Sequence, residues 1–270
     1  MVQNLKDTLD YAWGKLFAAR KMTEGINTYN ENPLHKGLKE WAAGPGAEYE
    51  VPMDGFIIDA IVDGILIEVQ TRNFTKMRAK LKKLVESHPV RLVHPVSYEK
   101  WIVRTSPDGE QLSRRKSPKR GRIEDVFGEL VTFPKLMAER NFSLEVAMIQ
   151  EEELRVVDGR KRGRRWKRDF VREERRLLSV VESRRFAHPR DMAGLIPDSV
   201  AEPFTTTDLA KACNLPRFMA QKMAYCLREM GAIVSLERKK SGIQYARSAE
   251  NDTSVTIGKI SGYEPIGVVA

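Results

Sequence analysis

The chain has 270 residues, enough for one or two domains, and its 41% hydrophobic and 31% charged residues describe a globular protein with a real core rather than a disordered or fibrous one. A net charge of +9 and a pI near 9.5 point to a polyanionic partner, either nucleic acid or an anionic surface. Cys213 and Cys226 are the only cysteines, which excludes a zinc ribbon, argues against a disulfide framework and suits a reducing, cytoplasmic compartment; no uninterrupted apolar window is long enough to span a membrane.

Helical spacing of Leu5, Leu9, Trp13 and Leu16 predicts a helix over residues 4–20. A second helix follows Pro33, with Leu34, Leu38 and Trp41 on one stripe, and Gly44-Pro45-Gly46 stops it. Glu31 precedes it, with His35 and Lys39 at four-residue steps beyond. Glu31 reads either as a carboxylate favoured at a helix start or as an acid aimed at a site. A strand is expected from Glu48 to Met53. Residues 57–71 then read as two strands around Asp63-Gly64, a strong hairpin signal. Alternation puts Leu66, Glu68 and Gln70 on one face, and Ile65, Ile67 and Val69 on the other. Asp59, on the preceding strand, converges with Glu68. Two carboxylates and an amide suit a hard cation such as Mg²⁺. A strand with one wet face carries the same alternation. Residues 74–88 predict a helix rich in Lys and Arg, with Met77, Leu81 and Leu84 inward. Two short strands follow, Val90–Val93 and Trp101–Thr105.

The order helix, three strands, helix, strand resembles the PD-(D/E)XK nuclease superfamily, over about residues 25–105. Asp59 matches the family's metal-binding Asp, and Glu68-Val69-Gln70 matches its (D/E)XK tripeptide. Glu31 matches the acid that many members carry on the first helix. Ile58 replaces the family's Pro, and Gln70 replaces its Lys; some active restriction endonucleases of the superfamily carry Glu-x-Gln. The resemblance implies an α/β restriction-endonuclease-like core (αβββαβ). It also implies Mg²⁺, or Mn²⁺ in its place, held by Asp59, Glu68 and the Val69 carbonyl. Glu31 and Gln70 then complete the catalytic set. Gln70 orients by hydrogen bonding but supplies no positive charge, so Lys39 or Arg72 is the expected source of that charge.

Beyond the core, Arg114, Arg115, Lys116, Lys119 and Arg120 belong to a basic run ending at Arg122, expected as a loop along phosphates, with a solvated surface loop as the plain alternative. Ile123–Arg140 reads as a helix split at Pro134, and Phe142–Val157 as a strand. The glycine-punctuated basic link over residues 158–165 is the expected boundary between a nuclease-like domain (1–158) and a second domain (165–250), with 251–270 as a tail. In the second domain Phe170–Phe186 predicts a helix through Leu177, Leu178 and Val181. A Thr-capped helix, a turn at Asn214-Leu215 and a helix from Pro216 to Gly231 come next, then a basic hairpin at Lys239 and Lys240. This layout resembles the mainly α winged-helix fold, which implies DNA contact through Arg217, Gln221 and Arg228 and through the wing. His35, His88, His94 and His188 lack metal-ligand spacing and read as structural.

Together these residues imply a metal-dependent endonuclease acting on duplex DNA, in defence or repair, with a homodimer expected where both strands are cut. The alternative is a non-catalytic DNA-binding regulator with a degenerate nuclease core; a third reading is a partner-binding module.

Overall fold

The computed structural model describes residues 32–157 and 172–248. The helix expected over residues 4–20, Glu31, the basic link at 158–165 and the tail at 251–270 lie outside the described residues. Among these, a mixed sheet of seven strands forms the body of the protein, with neighbours in the order β1 (Glu48–Met53), β2 (Phe56–Val62), β3 (Ile65–Val69), β4 (Val90–Thr105), β6 (Phe142–Val156) and β7 (Arg172–Phe186), and with β5 (Gln111–Lys116) paired to one end of β4. A smaller helical unit with a two-stranded hairpin packs against it.

Helix α1 (Pro33–Ala43) opens with an Asn32 cap, whose side chain accepts from the Leu34 amide, and with Pro33 in its first turn. Strands β1 (Glu48–Met53), β2 (Phe56–Val62) and β3 (Ile65–Val69) form an antiparallel meander. The Asp63-Gly64 turn between the last two has positive φ at both residues (49° and 74°), the conformation that makes Asp-Gly a hairpin former. A 3-10 turn at Phe74–Met77 leads into α2 (Arg78–Leu84), and β4 (Val90–Thr105) returns parallel to β3. The helix, three strands, helix, strand order is therefore present.

Four local expectations are corrected. The two short strands at 90–93 and 101–105 are one strand of 16 residues. It runs through Pro95 because β6 pairs it on one side throughout, while on the other β3 stops at Val93 and β5 begins at Trp101; the missing Pro95 amide costs no ladder bond. The basic run begins as strand β5 (Gln111–Lys116), antiparallel to β4. Residues 123–140 form no continuous helix: 3-10 turns at Ile123–Val126 and Pro134–Ala138 flank a single α-helical turn, α3 (Phe127–Leu130). Strand β6 (Phe142–Val156) is as expected, but residues 172–186, expected as a helix, are strand β7 (Arg172–Phe186), antiparallel to β6. The sheet thus continues past the boundary expected at 158–165.

β7 is held by charge as well as by its ladder. Buried acids on β6 face the arginines of β7: Glu151 meets Arg175 at 2.5 Å, and Glu145 meets Arg185 at 3.5 Å. Lys100 of β4 also reaches Glu151 and Glu153, so the acids are paired from both neighbouring strands.

The helical unit contains α4 (Pro189–Ala193), α5 (Thr206–Ala212), α6 (Arg217–Glu229), and the hairpin β8 (Ile233–Lys239) and β9 (Gly242–Arg247). Thr205 caps α5 in a reciprocal box with Asp208. The core is continuous across the two units. Ile58, Leu66, Leu81 and Phe142 of the sheet side share one apolar cluster with Phe127 and Leu130, and with Met223, Leu227 and Ile233 of the helical unit. A second cluster on the opposite face of the sheet packs Leu34 and Leu38 of α1 on Ala60, Ile67, Val69 and Val93.

Candidate active site

The carboxylate pair sits where β2 and β3 part. Their ladder ends at the Ala60–Ile67 pair. The Val69 amide donates instead to Asp59 Oδ2 at 2.8 Å, so the Asp59 side chain replaces a backbone partner as the strands separate. Asp59 and Glu68 thereby converge as the hairpin predicts, near enough for the Asp59 charge to raise Glu68.

Two side chains from opposite sides engage the pair. From α1, His35 Nε2 lies 3.0 Å from the Val69 carbonyl and 3.2 Å from Asp59 Oδ2. From α2, Lys80 Nζ lies 2.5 Å from both Glu68 Oε1 and the Ile57 carbonyl. Glu68 Oε1 is shielded from solvent and, apart from this ion pair, has no hydrogen bond of good geometry among the described residues. Burial pushes Asp59 up, but the His35 bond and charge, the Val69 amide and Lys80 outweigh it and hold the carboxyl below its usual value. Burial and the Asp59 charge act in the other direction on Glu68, and raise it from 4.5 to about 7 despite Lys80.

The remaining expected site residues divide. Gln70 does not face the carboxylates with its amide: Nε2 donates to the Arg72 carbonyl and, at 3.3 Å, to the Asn73 carbonyl, which fixes the turn after β3. Lys39, expected as a replacement charge, is buried against Glu50. The cation beside Glu68 is Lys80, hidden in the sequence among the other basic residues of its helix. His35, read as structural, touches both Asp59 and Val69; its four-residue spacing from Lys39 was the available signal.

Much of the expected basic surface is internally paired. Arg114 meets Glu152 at 2.9 Å and lies over the Trp101 ring, while Lys116 and Arg120 both meet Glu99, at 2.6 and 2.8 Å. Arg115 and Lys119 are exposed. On α6, Arg217, Gln221 and Tyr225 form an exposed stripe with Phe218 beside it, whereas Arg228 is half-buried against Glu229 at 2.8 Å. On the hairpin, Lys239 meets Glu237 at 2.7 Å and Lys240 is exposed.

Asp59, Glu68 and the Val69 carbonyl offer oxygen donors only, the chemistry of a Mg²⁺ or Mn²⁺ site with water and substrate completing the shell. Among the described residues no group of three His, Cys, Asp or Glu side chains gathers at metal-binding distance; the two carboxylates and the carbonyl are the oxygen donors that the described residues bring together there. Cation binding here requires Glu68 ionised. Mn²⁺ affinity, measured by calorimetry, is expected to rise from pH 5 to pH 8 through a midpoint near 7, the value to which Glu68 is raised; a flat profile would remove Glu68 from the site. The linked effect on folding has the opposite sign. The folded chain holds the Glu68 proton more tightly than the unfolded one, so this group's contribution to stability declines as pH rises from 4.5 to about 7.

No helix among the described residues is long and apolar enough to cross a membrane. No solved structure matches the chain. An uncharacterized protein of Treponema pallidum (strain Nichols) is 35% identical over 187 residues, covering 69% of this chain and 74% of that relative. A family described as a domain of unknown function, DUF8091, matches residues 32–187, a span that begins just before α1 and ends just after β7. The sheet with its carboxylate pair is thus the matched unit, and the chain belongs to the DUF8091 family.

Proposed function

We propose that this protein is a metal-dependent nuclease that hydrolyses phosphodiester bonds of DNA, with a PD-(D/E)XK-type core and a winged-helix unit that grips duplex DNA. The observation that carries the reading is the carboxylate pair, Asp59 and Glu68, at the parting of two strands in a helix, three strands, helix, strand framework, with Lys80 against Glu68. Asp59, Glu68 and the Val69 carbonyl would hold Mg²⁺ or Mn²⁺, which when bound lowers the pKa of water and neutralises phosphate charge. His35 holds Asp59 ionised and oriented. Lys80 supplies the fixed positive charge that Gln70 lacks, and Gln70 positions the turn from which the strand end projects. The exposed stripe of Arg217, Gln221 and Tyr225, together with Lys240 on the hairpin, supports contact with a duplex. Cleavage of both strands calls for a second copy of the chain, since one site cuts one strand.

One observation favours the regulator alternative: His35 and Lys80 already engage both carboxylates. Nicking of supercoiled plasmid in Mg²⁺, Mn²⁺ and EDTA separates the two. Metal-dependent nicking supports the nuclease. Tight, salt-sensitive DNA binding without nicking in either metal overturns it in favour of the regulator.

A further inference from the structure

β4 is paired by β6 along its whole length, but no strand pairs its other side between the end of β3 at Val93 and the start of β5 at Trp101. A cleft of about 410 Å³ opens there. His94 and Ser97 of β4 form one wall, the segment from Ser117 through Gly121 to Glu129 forms the second, and Lys222 of α6 closes the third. Gly121 sets the width. Its amide donates to the Ser97 carbonyl at 2.7 Å, and a Cβ at this position would stand 2.6 Å from that same oxygen. The cleft adjoins the carboxylate pair: Thr71 lines it, and His94 Nδ1 donates to the Gln70 carbonyl at 2.7 Å, two residues beyond Glu68.

The polar groups of the cleft are sorted by kind. Lys100 is committed to Glu151 and Glu153. Lys119 and Lys222 have no ion pair among the described residues; the Lys222 ammonium has the Gly128 carbonyl at 3.4 Å. Ser97 Oγ is shielded from solvent and has no hydrogen-bond partner among the described residues. Two ammonium groups and an unsatisfied hydroxyl suit an anionic oxygen ligand. Asp125 and Glu129 each engage a backbone amide through one oxygen, those of Arg122 and Phe74, both at 3.1 Å. Their carboxylates remain acceptors, as does His94 Nε2, because Nδ1 carries the ring proton. A ligand that is anionic at one end and bears donors at the other fits both sets, and a nucleotide with its phosphate and base is such a ligand. The volume admits part of one strand and is too small to enclose a duplex.

We propose that this cleft carries a single strand of nucleic acid away from the carboxylate pair, with a backbone phosphate on Lys119, Lys222 and Ser97. The identity of the ligand rests on the nuclease reading above. The test is fluorescence anisotropy of the full chain in EDTA, which makes it independent of cleavage, with a labelled single-stranded oligonucleotide of about ten nucleotides across a salt series. In the double variant Lys119→Ala/Lys222→Ala the slope of log affinity against log salt is expected to fall by about 1.4, roughly 0.7 for each cation lost from a single strand. Ser97→Ala weakens binding with the slope unchanged. Lys222→Arg retains the slope, which separates lost charge from a disturbed fold, and Lys83→Ala on α2 is the control for general charge.

An unchanged slope in the double variant, or an equal fall in the Lys83→Ala control, overturns the proposal. So does binding of inorganic pyrophosphate that is lost in the double variant while oligonucleotide affinity stays constant, since the cleft then belongs to a free phosphate ligand. The two readings fail separately. A reduced slope without plasmid nicking keeps the strand cleft and removes the nuclease, whereas nicking with an unchanged slope does the reverse.

Discussion

Replacing Lys80 with alanine is expected to slow metal-dependent nicking by about 10²–10³-fold, the usual cost of removing one group that stabilises charge developing in a transition state. Lys80 holds its ammonium 2.5 Å from Glu68 Oε1, on a helix packed by Leu81 and Leu84 into the core, so the charge is fixed in position. Lys39→Ala is expected to leave the chemical step near the wild-type rate, because Lys39 is spent on Glu50. Asp59→Ala should reduce nicking to the level seen in EDTA, since it removes a proposed ligand and also the acceptor that takes the Val69 amide. Rates from single-turnover plasmid assays, with DNA affinity measured alongside, check the series. Equal losses in the Lys80 and Lys39 variants would show that neither lysine acts specifically at the carboxylates.

The largest effect on stability is expected from Phe127→Ala. Phe127 is fully buried in the single turn of α3, within the apolar cluster that joins the sheet to the helical unit. Truncating a buried Phe costs about 3–5 kcal/mol, a large share of the roughly 5–15 kcal/mol that holds a domain folded. A fall in melting temperature of roughly 10 °C is expected at this chain length. Because the cluster is continuous, sheet and helical unit should melt together. A variant in which the helical unit melts early and the sheet holds at the wild-type temperature would show two independently cooperative bodies.

The parts of the fold set by local chemistry were legible in the sequence. Asp63-Gly64 specifies its hairpin, Asn32 and Thr205 their helix starts, and Gly231 the stop of α6. β7 was not, because Leu177, Leu178 and Val181 in a charged stretch fit a helix as well as a strand. What decides is distant: the acids Glu145, Glu151 and Glu152 on β6 match Arg185, Arg175 and Arg176. The same distance effect governs the basic run. Arg114, Lys116 and Arg120 look available as a string of letters, yet Glu99 and Glu152 claim them once β4, β5 and β6 align. At the carboxylate site, Asp59 and Glu68 follow from hairpin register, whereas Lys80 depends on how α2 lies across the sheet. The open stretch of β4 that forms the cleft follows from where its neighbours stop, which residue patterns alone do not carry.

The β4–β6 ladder also bears on how the chain reaches its fold. Its paired residues, from Val90 with Phe142 to Thr105 with Val156, are about fifty positions apart throughout. Pairings of such separation form late and slowly, since a long loop must close before any of them is rewarded. During synthesis β4 therefore emerges well ahead of its partner, with Leu92, Val93, Val96, Ile102 and Val103 still unsheltered. A chain interrupted before Phe142 would keep that edge open indefinitely, and self-association is its expected fate.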